Sequence, residues 1–503
     1  MRPGEEIVLG IDQGTTNSKV VALDRGGKVV GSASRPIPAL TPADGWVEQD
    51  PERMVRNVIE CIREVLDKTA CPADRVVGLG IANQTETLVI WDPKTGTPAI
   101  PAIVWQCRRG TAEAKALRER GHFDAVKQRT GLDLDPTFTA LKIKWVIGNL
   151  PGIGAALAAG ELLLGTVDTW LIWRLTGGAV YATEPGNASR TMLFDIDRLQ
   201  WSGELLELFG LTLPRLAECR GSGDGFGATD PQLFGKAIPI TAALGDQQAS
   251  LFGHGCFDKG ELKVTYGTGA FVWVNAGSQA QANPGEGLIR TIAWHVGTPT
   301  YAWEGFVMHA GSALDWVGER LGLGGGVEVV REAAAAGGSG SAIMVPAFQG
   351  LATPWWDPGV RAAFLGLSAA TTRGQLAHAA VESLCYQVRA VLDAVERAVG
   401  HKPPMVWVDG GISRSDYLMQ LQADILATPL VPAASDLTTP IGSAMLAGWG
   451  GGFWAGLAEL RRLIHSGETV RPAPGAPDRW QQGYIEWRRA VETVMAFHAQ
   501  RGL

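Results

Sequence analysis

The chain carries one local pattern twice, in opposite halves: an apolar run that ends in a bend built on Gly and Thr. Leu9 to Thr16 reads LGIDQGTT, and Val264 to Ala270 reads VTYGTGA. In the first copy, Ile7 to Asp12 is followed by apolar runs at Val20 to Leu23 and Val29 to Ser32 on either side of RGG, which reads as a β-meander. In the second, Ile240 to Leu244 precedes GDQQ and then Glu261 to Val274, with YGTGA inside it. Two similar halves facing a shared cleft account for the pair. The length agrees, because 503 residues exceed what one hydrophobic core usually organises.

Helical patterns alternate with these strands. Pro51 to Lys68 places Met54, Val58, Ile62, Val65 and Leu66 at helical spacing and leads into a strand at Val76 to Ala82, so the class is α/β. Gly374 to Val399 sets Leu376, Ala380, Leu384, Val388, Val391, Val395 and Val399 on one stripe, which predicts a long helix buried along one side. Leu321 to Ser341 is dominated by Gly, Ala and Ser and reads as a surface connection, in which VEVVREAAAA could form a short helix.

The charge balance excludes some partners. There are 44 basic and 51 acidic residues, net -7, with no Lys/Arg cluster dense enough to track a nucleic-acid backbone. The start, MRPGEEIVLGID, has two glutamates where a secretory signal needs an apolar run, and no segment reaches about 18 uncharged apolar residues. A cytoplasmic protein without membrane insertion is expected. The six cysteines lack metal or disulfide spacing and read as reduced thiols.

Five segments could carry chemistry. Asp12 to Thr16 can turn backbone N-H groups and two hydroxyls toward a phosphate while Asp12 holds Mg²⁺ through water, and it can equally be a plain hairpin turn. No GxxxxGK[ST] loop is present. Tyr266 to Ala270 is a second such bend, and two bends could cradle different phosphates of one nucleotide. Val406 to Asp409, then Gly410, Gly411 and a helical run from Asp416 to Leu426, permits close approach of a base or ribose, or is a simple strand-to-helix turn. Asp246, at the end of an apolar run with Gln247 beside it, can take a proton from a substrate hydroxyl, or can cap a helix that begins at Gln247. Glu86 could accept a hydroxyl and Trp105 wall off a carbon face, although surface loops and core packing explain both residues too; Arg108 and Arg109 read as solvated.

Together LGIDQGTTNSK, DGWVEQDP, IANQTET, AIVWQCRR, GTVDTWLIWRLTGG, NASRTMLFDI, GDQQASLFG, TYGTGAF, VPAFQGLATPWWDP and VDGGISRSDYLMQLQADIL, in this order, resemble the FGGY family of carbohydrate kinases over nearly the whole chain. The resemblance implies two actin-like (ribonuclease H-like) ATPase domains, residues 1–253 and 254–503, with an interdomain active-site cleft and a hinge near Phe252 to Gly260. It implies ATP and Mg²⁺ as cofactors and a small polyol as acceptor, glycerol first. By matching position, Asp246 looks like the catalytic base and Asp12 the Mg²⁺-linked acid. Glu86, Trp105, Asp246, Gln247 and Phe271 match acceptor contacts, with Thr85 and Thr137 in the same pocket. Gly14, Thr15, Thr16, Lys19, Gly267, Thr268, Gly311, Gly410, Gly411 and Ser415 fall on the nucleotide side.

Departures from the family pattern bear on the acceptor. Members that phosphorylate glycerol usually carry Arg at Thr85 and Tyr at Thr137, so two large donors are replaced by small ones, each worth about 1.5 to 3 kcal/mol in charge-assisted form. A four- or five-carbon polyol or a ketose is therefore a serious alternative. Ser415 and Asp315 replace Asn and Gln near the nucleotide, and the loop at Gly235 to Ile238 looks too short for sugar-bisphosphate control. An actin-like ATPase without an acceptor and an inactive sugar sensor are the competing readings. A homodimer is the default expectation.

Overall fold

In the computed structural model, which describes residues 5–279, 285 and 287–500, the two halves each build a sheet on one plan. The first sheet runs Ile240–Gly245, Val76–Asn83, Ile7–Gln13, Asn17–Leu23, Val29–Pro36. Its last three strands form the antiparallel meander read from the sequence, and the first three run parallel. Ile7–Gln13 is buried on both faces, as its unbroken apolar run requires of a central strand.

The second sheet runs Ile289–Val296, Thr298–Val307, Ala270–Gly277, Leu262–Tyr266, Val406–Asp409, Leu430–Pro432. Again antiparallel hairpins come first in the chain, and parallel strands are added beside the strand that opens the meander. The two Gly-Thr bends occupy equivalent places, each closing the hairpin at its sheet's centre: Gly14 N-H donates to Asn17 O at 3.0 Å and Gly267 N-H to Gly269 O at 2.8 Å.

Helices cover both faces. Pro51–Thr69 starts with Pro51 in its first turn and Asp50 as cap, accepting from Glu52 N-H, and buries Met54, Val58, Cys61, Ile62 and Val65 against the first sheet. On the opposite face lies Thr438–Gly450, close enough that only glycine fits beneath it. A Cβ added to Gly10 would stand 1.9 Å from Pro440 O, and one on Gly80 2.0 Å from Ser443 O. The Ser443 hydroxyl donates to Ile11 O at 3.0 Å, tying helix to strand. The long helix is Arg373–Val399, opened by a Thr372/Gln375 capping box and closed by Gly400 in the left-handed region.

The short helix allowed in VEVVREAAAA forms as Gly326–Ala336, but the segment is more than a surface connection, since the helix packs Val329, Val330 and Ala333 into the core beside Arg373–Val399. The small residues that suggested a loop serve as its ends, Gly325 before it and a left-handed Gly337 after it.

Candidate active site

Asp246 opens the helix Asp246–Gly253, which links the last strand of the first sheet to the first strand of the second. Its carboxylate accepts the N-H of Gln247 at 2.7 Å, so the residue both joins the helix start and faces a cavity. That cavity, about 220 Å³, gathers every residue expected on the acceptor side: Thr85, Glu86, Trp105, Thr137, Asp246, Gln247 and Phe271. Thr15 and Asp246 reach it from the first sheet's strand ends, Phe271 and Glu304 from the second sheet.

Glu86 has φ of +63°, a conformation costly for a side-chain-bearing residue, and is held there by polar partners. Thr85 Oγ1 donates to Glu86 Oε2 at 2.7 Å, and Arg190 Nε donates to Glu86 Oε1 at 2.6 Å. Arg190 Nη1 donates in turn to Glu304 Oε2 at 2.7 Å, with all three side chains buried. Burial works against the Arg190 cation, but Glu304 and Glu86 together outweigh it and hold the guanidinium charged.

On the other wall, the Thr137 hydroxyl donates to Asp135 Oδ1 at 2.6 Å and Arg108 pairs with the same carboxylate at 3.0 Å. Burial favours the neutral acid at Asp135, but Arg108 and Thr137 prevail and its pKa falls. Trp105 Nε1 donates to Thr15 Oγ1 at 2.9 Å, fixing the indole as a wall beside the first bend.

The reading of Arg109 as solvated is corrected, whereas Arg108 is exposed as expected. Arg108 lines the cavity, and Arg109 is buried over the Trp46 ring at 4.1 Å while pairing with Glu48 at 2.7 Å. Arg190, Glu304 and Asp135 escaped the sequence reading. A lone acid inside the apolar strand Thr298–Val307 was the available signal for Glu304; nothing local marks Arg190 as buried.

The carboxylates are electrostatically crowded. Burial, then the charges of Asp12 and Glu86, lift the Asp246 pKa to about 7, against the N-H of Gln247 and the charge of Lys263. Burial lifts Asp12 to about 6, opposed by Lys19 at 3.8 Å. Asp12 has a second acid nearby and one partly exposed lysine as counter-charge, a setting that a divalent cation fits.

The nucleotide-side candidates form a second group. Gly267, Thr268, Gly410 and Gly411 expose their backbone, and Gly311 N-H donates to Gly267 O at 3.0 Å. Gly410, with φ of +93°, presses on the same bend, where an added Cβ would meet Tyr266 O at 2.1 Å. Gly14 and Lys19 are half-buried at the first bend, with Thr16 exposed beside them. Ser415 opens the helix Asp416–Leu426, its hydroxyl accepting Leu418 N-H at 3.3 Å. Asp315 accepts Gly326 N-H at 2.7 Å and so joins two helices.

The comparisons with known proteins agree with this geometry. The model of the N-terminal domain of the FGGY family of carbohydrate kinases matches residues 7–253, and that of the C-terminal domain residues 262–451. A glycerol kinase of Xanthomonas axonopodis pv. citri is 41% identical over 98% of this chain and 99% of its own, and glycerol kinase 2 of Thermotoga maritima 39% over 97% and 99%. The crystal structure of Plasmodium falciparum glycerol kinase with ADP superposes with a TM-score of 0.90 at 30% identity, covering 97% of this chain and 98% of that one. A xylulose kinase from Lactobacillus acidophilus, at 21% identity, covers 98% of this chain and 99% of its own with a TM-score of 0.88 and shares the fold. The two actin-like domains expected around a cleft are thus the observed architecture, and the chain belongs to the FGGY family of carbohydrate kinases.

Proposed function

We propose that this kinase transfers the terminal phosphoryl group of ATP to glycerol, giving glycerol 3-phosphate, with Asp246 as general base. The observation that carries the reading is the single cavity in which Asp246, Gln247, Glu86 and Trp105 meet. A polyol hydroxyl is a weak nucleophile, and a carboxylate with a pKa of about 7 accepts its proton near neutral pH. Glu86, locked by Arg190 and Thr85, accepts a hydroxyl proton in a hydrogen bond; Trp105 and Phe271 cover the carbon side. The exposed Thr268 of the second bend, Gly410 beside it and Thr16 of the first bend supply donors toward the phosphates. Asp12 would hold Mg²⁺, which neutralises charge on the transferring phosphoryl group when bound.

A second reading, a longer polyol or a ketose as acceptor, is favoured by Thr85 and Thr137. Both side chains are short, and both hydroxyl protons are committed, to Glu86 and Asp135. Neither therefore donates to an acceptor molecule. We assign the moving halves to residues 1–253 and 254–503, with the hinge in Phe252 to Gly260, where the Asp246 helix ends. We place the protein in the cytoplasm, supported by six free cysteines and by ATP as co-substrate. Among the described residues no helix is long and apolar enough to cross a membrane. Phosphorus NMR of the product formed from ATP and glycerol tests the assignment: a primary phosphomonoester of glycerol supports it, and free phosphate alone rejects it.

A further inference from the structure

Lys263 is fully buried on the strand Leu262–Tyr266, three residues before the Tyr266-Gly267 bend, yet its ammonium points at the other half of the molecule. It donates to Gln247 Oε1 on the Asp246 helix and to Thr265 Oγ1 at 2.6 Å. Asp409, on the neighbouring strand, supplies charge compensation and is itself bound by Ser250 Oγ of the other half at 2.8 Å and by His254 Nε2 at 3.0 Å. The lysine is thus held in a fixed polar cluster with its reach toward Gln247 determined.

A glutamine amide has an accepting end and a donating end, and unaided it can present either to a ligand. An ammonium group only donates, so the oxygen of Gln247 must face Lys263. The end left for the acceptor cavity is the NH₂ group, while the backbone N-H of Gln247 is occupied by Asp246. We propose that Lys263 is a positioning residue that fixes the flip state of Gln247, so that the amide reads an acceptor oxygen by donating to it. The inference rests on the polyol-kinase reading and deepens it: Gln247 selects a hydroxyl or carbonyl oxygen next to the hydroxyl that Asp246 deprotonates. Because Lys263 belongs to the strand leading into the second bend, the half that carries this bend also completes acceptor recognition in the other half.

The test begins with wild-type turnover of glycerol, erythritol, pentitols and ketoses, since failure with every acceptor removes the underlying reading and leaves Lys263 aside. With a working acceptor, Lys263→Met is expected to raise the acceptor KM about tenfold, the loss of one such hydrogen bond, while the ATP KM stays within about twofold. The double variant Lys263→Met/Gln247→Ala is expected to be no worse than Gln247→Ala alone. Additive losses, or an ATP KM that rises with the acceptor KM, overturn the proposal. Should Lys263→Met not fold, Gln247→Glu decides: it keeps a partner for Lys263 but has no donor. Its acceptor KM is expected to match that of Gln247→Ala, and a wild-type value contradicts a donating amide.

Discussion

Arg190 donates to Glu86 at 2.6 Å from a position 104 residues away in sequence, and its other arm reaches Glu304 of the second sheet at 2.7 Å. One guanidinium therefore fixes the Glu86 carboxylate and crosses between the halves. Removing it as Arg190→Met leaves two buried carboxylates without a cation, which is expected to cost about 3–5 kcal/mol in urea unfolding. Arg190→Lys is not a conservative replacement, because one ammonium does not reproduce the planar fork that serves both acids. Stability of Arg190→Met within about 1 kcal/mol of wild type contradicts this role.

Asp246→Asn is expected to fold and to lose about 10²- to 10⁴-fold in kcat. The acid has its pKa raised from 3.8 to about 7, chiefly by burial, so the folded protein holds a proton there that the unfolded chain has released across this range. Stability from this group is therefore present at low pH and lost as pH rises toward 7, and is flat above it. Thermal melts of Asp246→Asn should show a gain of about 1–2 kcal/mol over wild type at pH 8, after allowance for screening in an open pocket, and little difference at pH 4. Wild-type kcat/KM for the acceptor should rise with pH and level off above about 7, where the base is ionised.

Gly80→Ala tests the contact between the first sheet and the helix Thr438–Gly450. Its Cβ would lie 2.0 Å from Ser443 O, backbone that cannot rotate away, so the helix must lift off the strand. A loss of about 3 kcal/mol or more, or failure to fold, is expected in guanidinium titration, with Gly148→Ala, which meets nothing within 4 Å, as the control.

Chelation with EDTA should abolish turnover, and added Mg²⁺ should restore it. Asp12→Asn should shift the Mg²⁺ dependence of kcat to at least about tenfold higher concentration, as loss of an ionic ligand partner implies. Full activity in EDTA would contradict the place given to Asp12.

The strands and long helices were legible because their information is local. Met54, Val58, Ile62 and Val65 recur at helical spacing, and the Ile7 run is apolar because both faces of its strand are covered. The pairing of the two bends was legible for the same reason, each being a strand followed by Gly and Thr. A short helix was legible in VEVVREAAAA, but its burial was not, because that comes from packing Val329, Val330 and Ala333 on a helix distant in sequence. Arg190 and Glu304 were invisible as a pair since burial of charge depends on partners brought together by the tertiary fold. Arg109 illustrates the same point, lying between Trp46 and Trp145 rather than in solvent. Ser415 is local information again, a cap whose hydroxyl accepts an N-H of the helix that it begins.

Phosphoryl transfer to a small polyol is read out by ADP release from the purified protein with ATP and Mg²⁺, measured with and without acceptor. Negligible release alone and strong stimulation by glycerol or by a four- or five-carbon polyol or ketose are expected, the ranking of kcat/KM values identifying the acceptor. Rapid ADP release with no acceptor present, unchanged by adding any of them, would contradict this transfer and favour an actin-like ATPase.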